Sequence, residues 1–220
     1  MAYSDLGAVS PGDPGTSTWA NQVRANFQAS VPDIFTTKGD LAAATGADAA
    51  ARVAVGADDA TLVADSGEAG GLAWQIQPAC RVYNSANIDP AVSTWETLTF
   101  DSERFDTDTM HSTVSNTGRI TVPANGDGLY LLGACVEFPN STPIEECGLR
   151  FQLNGATVIE RVYLDQDSTT ANNISLNLST LYSLSATDYV VVQVYVGADE
   201  NVLASSNYSP EFWAIWQRRA

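Results

Sequence analysis

The chain has 220 residues, 45% hydrophobic and 16% charged, enough for one substantial core plus an extension and too apolar for a disordered coil. Its 26 acidic and 10 basic residues leave a net charge of −16, so no basic patch exists for nucleic acid and an anionic bilayer would repel it. No run of ~18 uncharged apolar residues could span a membrane, and residues 1–7 lack the basic and apolar regions of a secretory leader.

Residues 1–40 are expected to be an irregular anchor with one short helix. Ser10–Gly15 holds two prolines and two glycines, which forbid regular structure. Thr18 can cap a helix that Pro32 stops, and between them Trp19, Val23 and Phe27 recur at every fourth position, on one stripe. About three turns are unstable alone in water, so the stripe must dock on this protein's own body, a second copy or another protein. Residues 41–78 form an Ala/Gly-rich linker in which short apolar bursts alternate with Gly and Asp. These predict small β-segments with too little bulk for a private core.

From residue 79 onward the pattern is all-β, with eight to ten strands and no helix. Leu149, Phe151 and Leu153 alternate with Arg150 and Gln152, and Asn154-Gly155 then predicts a tight hairpin to a strand over 157–164. Ile174, Leu176 and Leu178 oppose Ser175, Asn177 and Ser179, and Val190, Val192 and Val194 mark another strand. This is the pattern of a β-sandwich or a barrel-like relative. Two segments break its one-sided rule. Over 128–138, Tyr130, Leu132, Ala134 and Val136 share a face, yet Leu129, Leu131 and Cys135 occupy the other. Over 212–216, Phe212 and Trp216 oppose Trp213 and Ile215. Strands apolar on both faces call for a second burial surface, most simply a subunit interface at Leu129, Leu131, Cys135, Trp213 and Ile215.

Candidate chemical sites are few. Cys80, Cys135 and Cys147 have no disulfide or zinc spacing and are expected as buried free thiols. His111, the one histidine, lies near Ser112 and Ser115, but neither serine is marked as a nucleophile, and a polar loop residue is the plainer reading. Asp101, Glu103, Asp106 and Asp108 form an acidic loop that calcium could occupy, although the spacing matches no EF-hand and Arg104 interrupts it. A solvated acidic loop without a cofactor is expected. Glu145-Glu146 and Asp165/Asp167 fall at loop tips without the sugar-shaped cleft that hydrolysis by a carboxylate pair requires.

Residues Asn116–Tyr130, with Asn and Gly ahead of a short strand, then Pro, then Gly128-Leu129-Tyr130, resemble the signature of C1q/TNF-type trimeric jelly rolls. Leu184–Val192 resembles that family's Leu-X-X-Gly-Asp-X-Val segment, with Thr187 where Gly is usual. The resemblance implies a homotrimeric, non-enzymatic jelly-roll knob over 79–220 whose trimer-facing sheet contains the two strands just singled out. Phe35–Leu41, Ala51–Asp59, Leu62–Ser66 and Gly71–Trp74 are similar to a connecting segment of tailed-bacteriophage structural proteins, and Trp19–Phe27 to the start of small phage proteins of that kind. This implies a virion-surface protein made in the host cytoplasm. It would be a short capsid decoration or head spike, because residues 41–78 span at most ~130 Å, and it would be joined to the major capsid protein or another virion protein through residues 1–40. The alternative is a tail-tip or tail-fibre adhesin that holds a host glycan, for which Trp95 and Tyr163 are the candidate exposed aromatics.

Overall fold

The computed structural model describes Ala20, Asn21, Val23, Ala25, 34–47, 49–139, 146–165, 173–205 and 207–219. Contacts divide the chain into two compact units, Met1–Ile76 and Gln77–Ala220.

In the first unit, Ala20, Asn21, Val23 and Ala25 are helical and Val23 is half-buried; Trp19 and Phe27, the other two members of the stripe, lie outside the described residues. Two hairpins follow. β1 (Leu41–Gly46) pairs with β2 (Ala49–Val53), and β3 (Thr61–Ala64) with β4 (Leu72–Gln75). Ala43 is the one buried apolar residue among the unit's described residues, so polar and glycine contacts hold this region. The Asp40 carboxylate accepts the backbone N–H groups of Thr36 (2.8 Å), Thr37 (2.7 Å) and Val55 (3.2 Å) and pairs with Arg52 at 3.3 Å. The Thr36 N–H leads the interactions that hold its pKa at about 2, below the ordinary 3.8. The Trp74 ring lies directly over Gly56, where a Cβ would sit 2.6 Å from it, and its indole N–H donates to the Ala54 carbonyl at 2.7 Å. Asp40, Gly56 and Trp74 are therefore ties of this unit.

Among the described residues the second unit is a sandwich of ten strands: β5 (Ala79–Tyr83), β6 (Glu96–Thr97), β7 (Ser102–Asp106), β8 (Arg119–Thr121), β9 (Gly128–Phe138), β10 (Glu146–Leu153), β11 (Thr157–Asp165), β12 (Ile174–Leu184), β13 (Tyr189–Val196) and β14 (Glu211–Arg218). One sheet runs β12-β9-β14-β5-β7. The other runs β11-β10-β13, with β6 and β8 sharing the free edge of β13. Only β10 and β11 are sequential neighbours within a sheet; every other step crosses to the opposite sheet. This all-antiparallel, sheet-alternating order is a jelly roll.

Period-two alternation delivers one face of each sheet to a shared core of Val82, Phe100, Tyr130, Leu132, Val136, Leu149, Phe151, Val192, Phe212 and their neighbours. Asn154 (φ 51°) and Gly155 (φ 69°) form the two left-handed positions of the β10–β11 turn, as the sequence indicates. The Gly-X-Tyr opening of β9 has a steric reason: a Cβ on Gly128 would meet the Arg218 carbonyl at 2.3 Å. The Tyr130 hydroxyl closes the same corner by donating to the Gly126 carbonyl at 2.8 Å. All three cysteines are free and buried, and burial raises each thiol pKa, that of Cys147 to about 11.

Candidate functional site

The outward face of the β12-β9-β14-β5-β7 sheet carries the residues that the sequence left without a core to join. Register places Leu181, Leu131 and Ile215 in one row across β12, β9 and β14, and Gly133, Trp213, Arg81 and Phe105 in the next. Leu129, Leu131, Trp213 and Ile215 are half-buried, Leu181 is 57% exposed and Phe105 43% exposed. Cys135 lies on this face too, buried opposite Glu211. The Trp213 ring lies flat on Gly133, whose Cβ would fall 2.1 Å from it. A glycine at the centre of an apolar strand therefore lets the indole spread over the sheet instead of standing up from it.

Beside this apolar field sits an ionic bracket. Glu211 is 1% exposed and accepts from Arg81 on one oxygen and from Arg104 (2.9 Å) on the other. Arg104 reaches it because a bulge between β5 and β7 leaves that residue out of register. Arg104 also stacks on Tyr83 at 4.0 Å and Arg81 packs over Trp213 at 5.8 Å. The bracket thus fixes the edge of the Trp213 platform. Sequence reading missed Gly133, Arg81, Arg104 and Glu211. The glycine alone carried a local signal, as a break in an apolar run.

The acidic cluster takes a different form from the loop expected. Glu103 and Asp106 belong to strand β7, because pairing with β5 outweighs the poor strand propensity of acidic residues. Three of the cluster's four carboxylates, those of Asp101, Glu103 and Asp106, are engaged by protein donors. Asp101 accepts from the Ser85 hydroxyl (2.5 Å), the leading cause of its lowered pKa; Glu103 meets the His111 ring at 2.9 Å; Asp106 accepts the backbone N–H groups of Asp108, Met110 and His111. Among the described residues no group of three or more His, Cys, Asp or Glu is arranged to hold a metal. His111 is a loop residue, as expected, but a buried one: it is 5% exposed, with Nδ1 on Glu103 and Nε2 at 3.0 Å from the Thr117 carbonyl. Both ring nitrogens are engaged, and Ser112 and Ser115 hydrogen-bond to each other and to local backbone rather than to the ring. A cleft of about 450 Å³ at one end of the sandwich is lined by Asn125, Asp127, Ser183, Ser185 and Arg219 among others, without a histidine or cysteine.

Of the paired carboxylates, Glu145 and Asp167 lie outside the described residues. Glu146 instead joins the aromatics. Trp95 and Tyr163, far apart in sequence, come within 6.3 Å of each other on the outward face of the second sheet, with Tyr195 5.6 Å from both.

No protein-family model and no curated protein matches this chain. Among solved structures the chain is similar to the Eiger TNF of S. frugiperda (15% identity over 66% of this chain and 94% of that one, TM-score 0.48). It is also similar to murine APRIL in crystals at pH 8.5 (12% identity, 64% and 99%, TM-score 0.48) and to the globular domain of the zebrafish complement 1qA protein (14% identity, 65% and 99%, TM-score 0.47). The strand order defines the class of the second unit, an all-β jelly-roll domain, and TNF and C1q domains are the structures it is similar to.

Proposed function

We propose that the chain is a non-enzymatic structural protein of a tailed-phage virion surface, a capsid decoration or head spike. In this reading it assembles as a homotrimer through the outward face of the β12-β9-β14-β5-β7 sheet and is held to the particle by residues 1–40. The observation that carries the self-association is the field of Leu129, Leu131, Leu181, Trp213 and Ile215, a contiguous apolar surface that a monomer would leave wet. Three is the number implied by the resemblance of Asn116–Tyr130 and Leu184–Val192 to trimeric jelly rolls. The assignment to phage is supported by the motif segments Phe35–Leu41 through Gly71–Trp74, whose conspicuous residues serve as ties within the first unit. The absence of a role in chemistry is supported by His111, whose ring nitrogens are both committed to structural oxygens.

Light scattering on the purified full chain tests the assembly. A mass about three times 23.3 kDa is expected, and a monodisperse monomer overturns it. Particles produced with a chain lacking residues 1–40 test the attachment: the truncated chain should remain a folded trimer and be missing from purified virions. Normal occupancy would move the anchor to another segment.

A further inference from the structure

The outward face of the second sheet carries a built cluster that neither the core nor the proposed assembly uses. Its floor is Gly148 near the start of β10, flanked in register by Tyr163 of β11 and Tyr195 of β13. Because Gly148 has no side chain, the Trp95 and Tyr163 rings close over it; a Cβ there would lie 2.7 Å from each. The three rings are mutually tilted by 45–48°, so they form a shallow cup rather than a stack. Tyr163 remains 41% exposed.

Opposite charges stand at the two ends of this cup. Glu146 and Arg150 lie two residues to either side of Gly148 on the same strand face, roughly 13 Å apart along the strand at ~3.3 Å per residue. The Glu146 carboxylate accepts the Tyr163 hydroxyl at 2.8 Å and the Tyr195 hydroxyl at 3.4 Å. An ionised carboxylate has about four acceptor positions, so some stay free. At the other end the Arg150 guanidinium stacks on Trp95 at 4.3 Å and donates from Nε to Gln193 at 2.8 Å. Gln193 is held in turn by Thr97 at 3.1 Å. No described residue accepts from the two terminal nitrogens of Arg150, and since no buried side-chain nitrogen among the described residues lacks a partner, they face solvent.

We infer that this cup binds a neutral pyranose, with the sugar's apolar face on Tyr163 and Trp95, a hydroxyl donating to Glu146 and another accepting from Arg150. The match is in the chemistry. A pyranose presents C–H groups on one face and hydroxyls that both donate and accept around its rim, and the site presents rings in the middle, an acceptor at one end and donors at the other. Charge sets the class: Glu146 and its register neighbour Asp165 at one end offset Arg150 and its register neighbour Arg161 at the other, and the whole chain carries −16, so an acidic sugar finds no net local attraction and is repelled at long range. The Arg150 and Gln193 side chains are already fixed by neighbours, which lowers the ordering cost of binding. The inference goes beyond the structural reading above and does not depend on where the protein sits on a particle.

The test is an NMR titration of the full-length protein with neutral methyl pyranosides (gluco, galacto, manno and N-acetylglucosaminide, both anomers), read at the Trp95 indole N–H, assigned by its loss in Trp95→Phe. At least one sugar should shift that signal saturably with a dissociation constant of about 10 mM or better, as expected for a single-ring ligand. Tyr163→Ala should weaken that binding about tenfold, and Arg150→Gln by a smaller factor, with light-scattering mass unchanged in both. Methyl sialoside should bind no more tightly than the best neutral sugar. The inference is overturned if no neutral pyranoside moves the Trp95 signal at about 100 mM, if Tyr163→Ala binds equally well, or if the acidic sugar binds best. None of these outcomes bears on the trimer, which the light scattering reads separately.

Discussion

The two sheets of the sandwich solve the same local problem and leave opposite surfaces. Each has a glycine on one of its strands with a tryptophan laid over it: Gly133 in the middle of β9 beneath Trp213, and Gly148 near the start of β10 beneath Trp95. Around Trp213 the neighbours are Leu129, Leu131, Leu181 and Ile215, with one end closed by the bracket of Arg81, Glu211 and Arg104. Around Trp95 they are two tyrosines, Glu146, Arg150 and Gln193. An indole flattened on a glycine is therefore neutral as to function. The atoms at its rim decide whether the surface suits another protein face, which satisfies carbon, or a hydroxylated ligand, which satisfies both carbon and hydrogen bonds.

The sharpest way to break the comparison is to place a charge at the same kind of position on each face. Trp213→Asp should dissociate the assembly, since an unpaired carboxylate at the centre of an apolar interface costs about 2–4 kcal/mol per contact. Tyr163→Asp, on the other sheet, should leave the mass unchanged by light scattering. Gly133→Ala grades the effect: its methyl must lift the Trp213 ring, so weakened association is expected without loss of the fold, read as a dilution-dependent mass. If both faces tolerate aspartate equally, the apolar field is not an interface.

Much of this contrast was legible in the sequence, for a simple reason. Alternation assigns each strand residue to a face without knowledge of its neighbours, so the double-sided strands at 128–138 and 212–216 stood out as soon as both of their faces proved apolar. The buried series Leu176, Leu178 and Val190, Val192, Val194 followed from the same rule. What alternation cannot supply is which strands lie side by side. Trp95 and Tyr163 were separately visible as aromatic residues, but their meeting over Gly148 depends on β10 pairing with both β11 and β13. The pairing of His111 with Glu103 was hidden likewise, and the acidic run read as a loop because its strand character comes from β5 rather than from its own residues.

A change at the turn between the sheets should stabilise the fold beneath both faces without altering either. Ser185–Asp188 carries the chain from β12 in one sheet to β13 in the other, tied by Ser185 N–H to Asp188 (2.8 Å) and Ala186 N–H to Asp127 (2.6 Å). Within it Thr187 sits at φ 71°, a left-handed conformation that a β-branched residue enters at a cost of about 1–3 kcal/mol. This is the position where the resembling family has glycine. Thr187→Gly should relieve that strain, less about 0.5–1 kcal/mol for the freer unfolded chain. The melting midpoint should rise by about 2–4 °C, with association and sugar binding unchanged. A lower midpoint would show that contacts of the threonine side chain outweigh its backbone strain.

The smallest expected effect concerns a carboxylate at the far end of β9, two positions beyond Cys135. Glu137 is 8% exposed and accepts from Ser205 (2.5 Å), Asn173 (3.1 Å) and Tyr208 (3.1 Å). The Ser205 hydroxyl leads these donors in lowering its pKa below the ordinary 4.5, against the opposing effect of burial. A folded-state pKa lower than the unfolded one means that the unfolded chain binds the proton first. The stabilisation is therefore complete above about pH 4.5 and is lost as the pH falls through the lowered native value. Glu137→Gln removes the titration while keeping the shape. Urea unfolding should find the wild type ahead of the variant near pH 7, with the gap narrowing as the pH is taken below about 4.5. A gap that stayed constant across this range would mean that the network contributes through packing and neutral hydrogen bonds, and that its charge does not distinguish this end of the sheet from the apolar field beside Trp213.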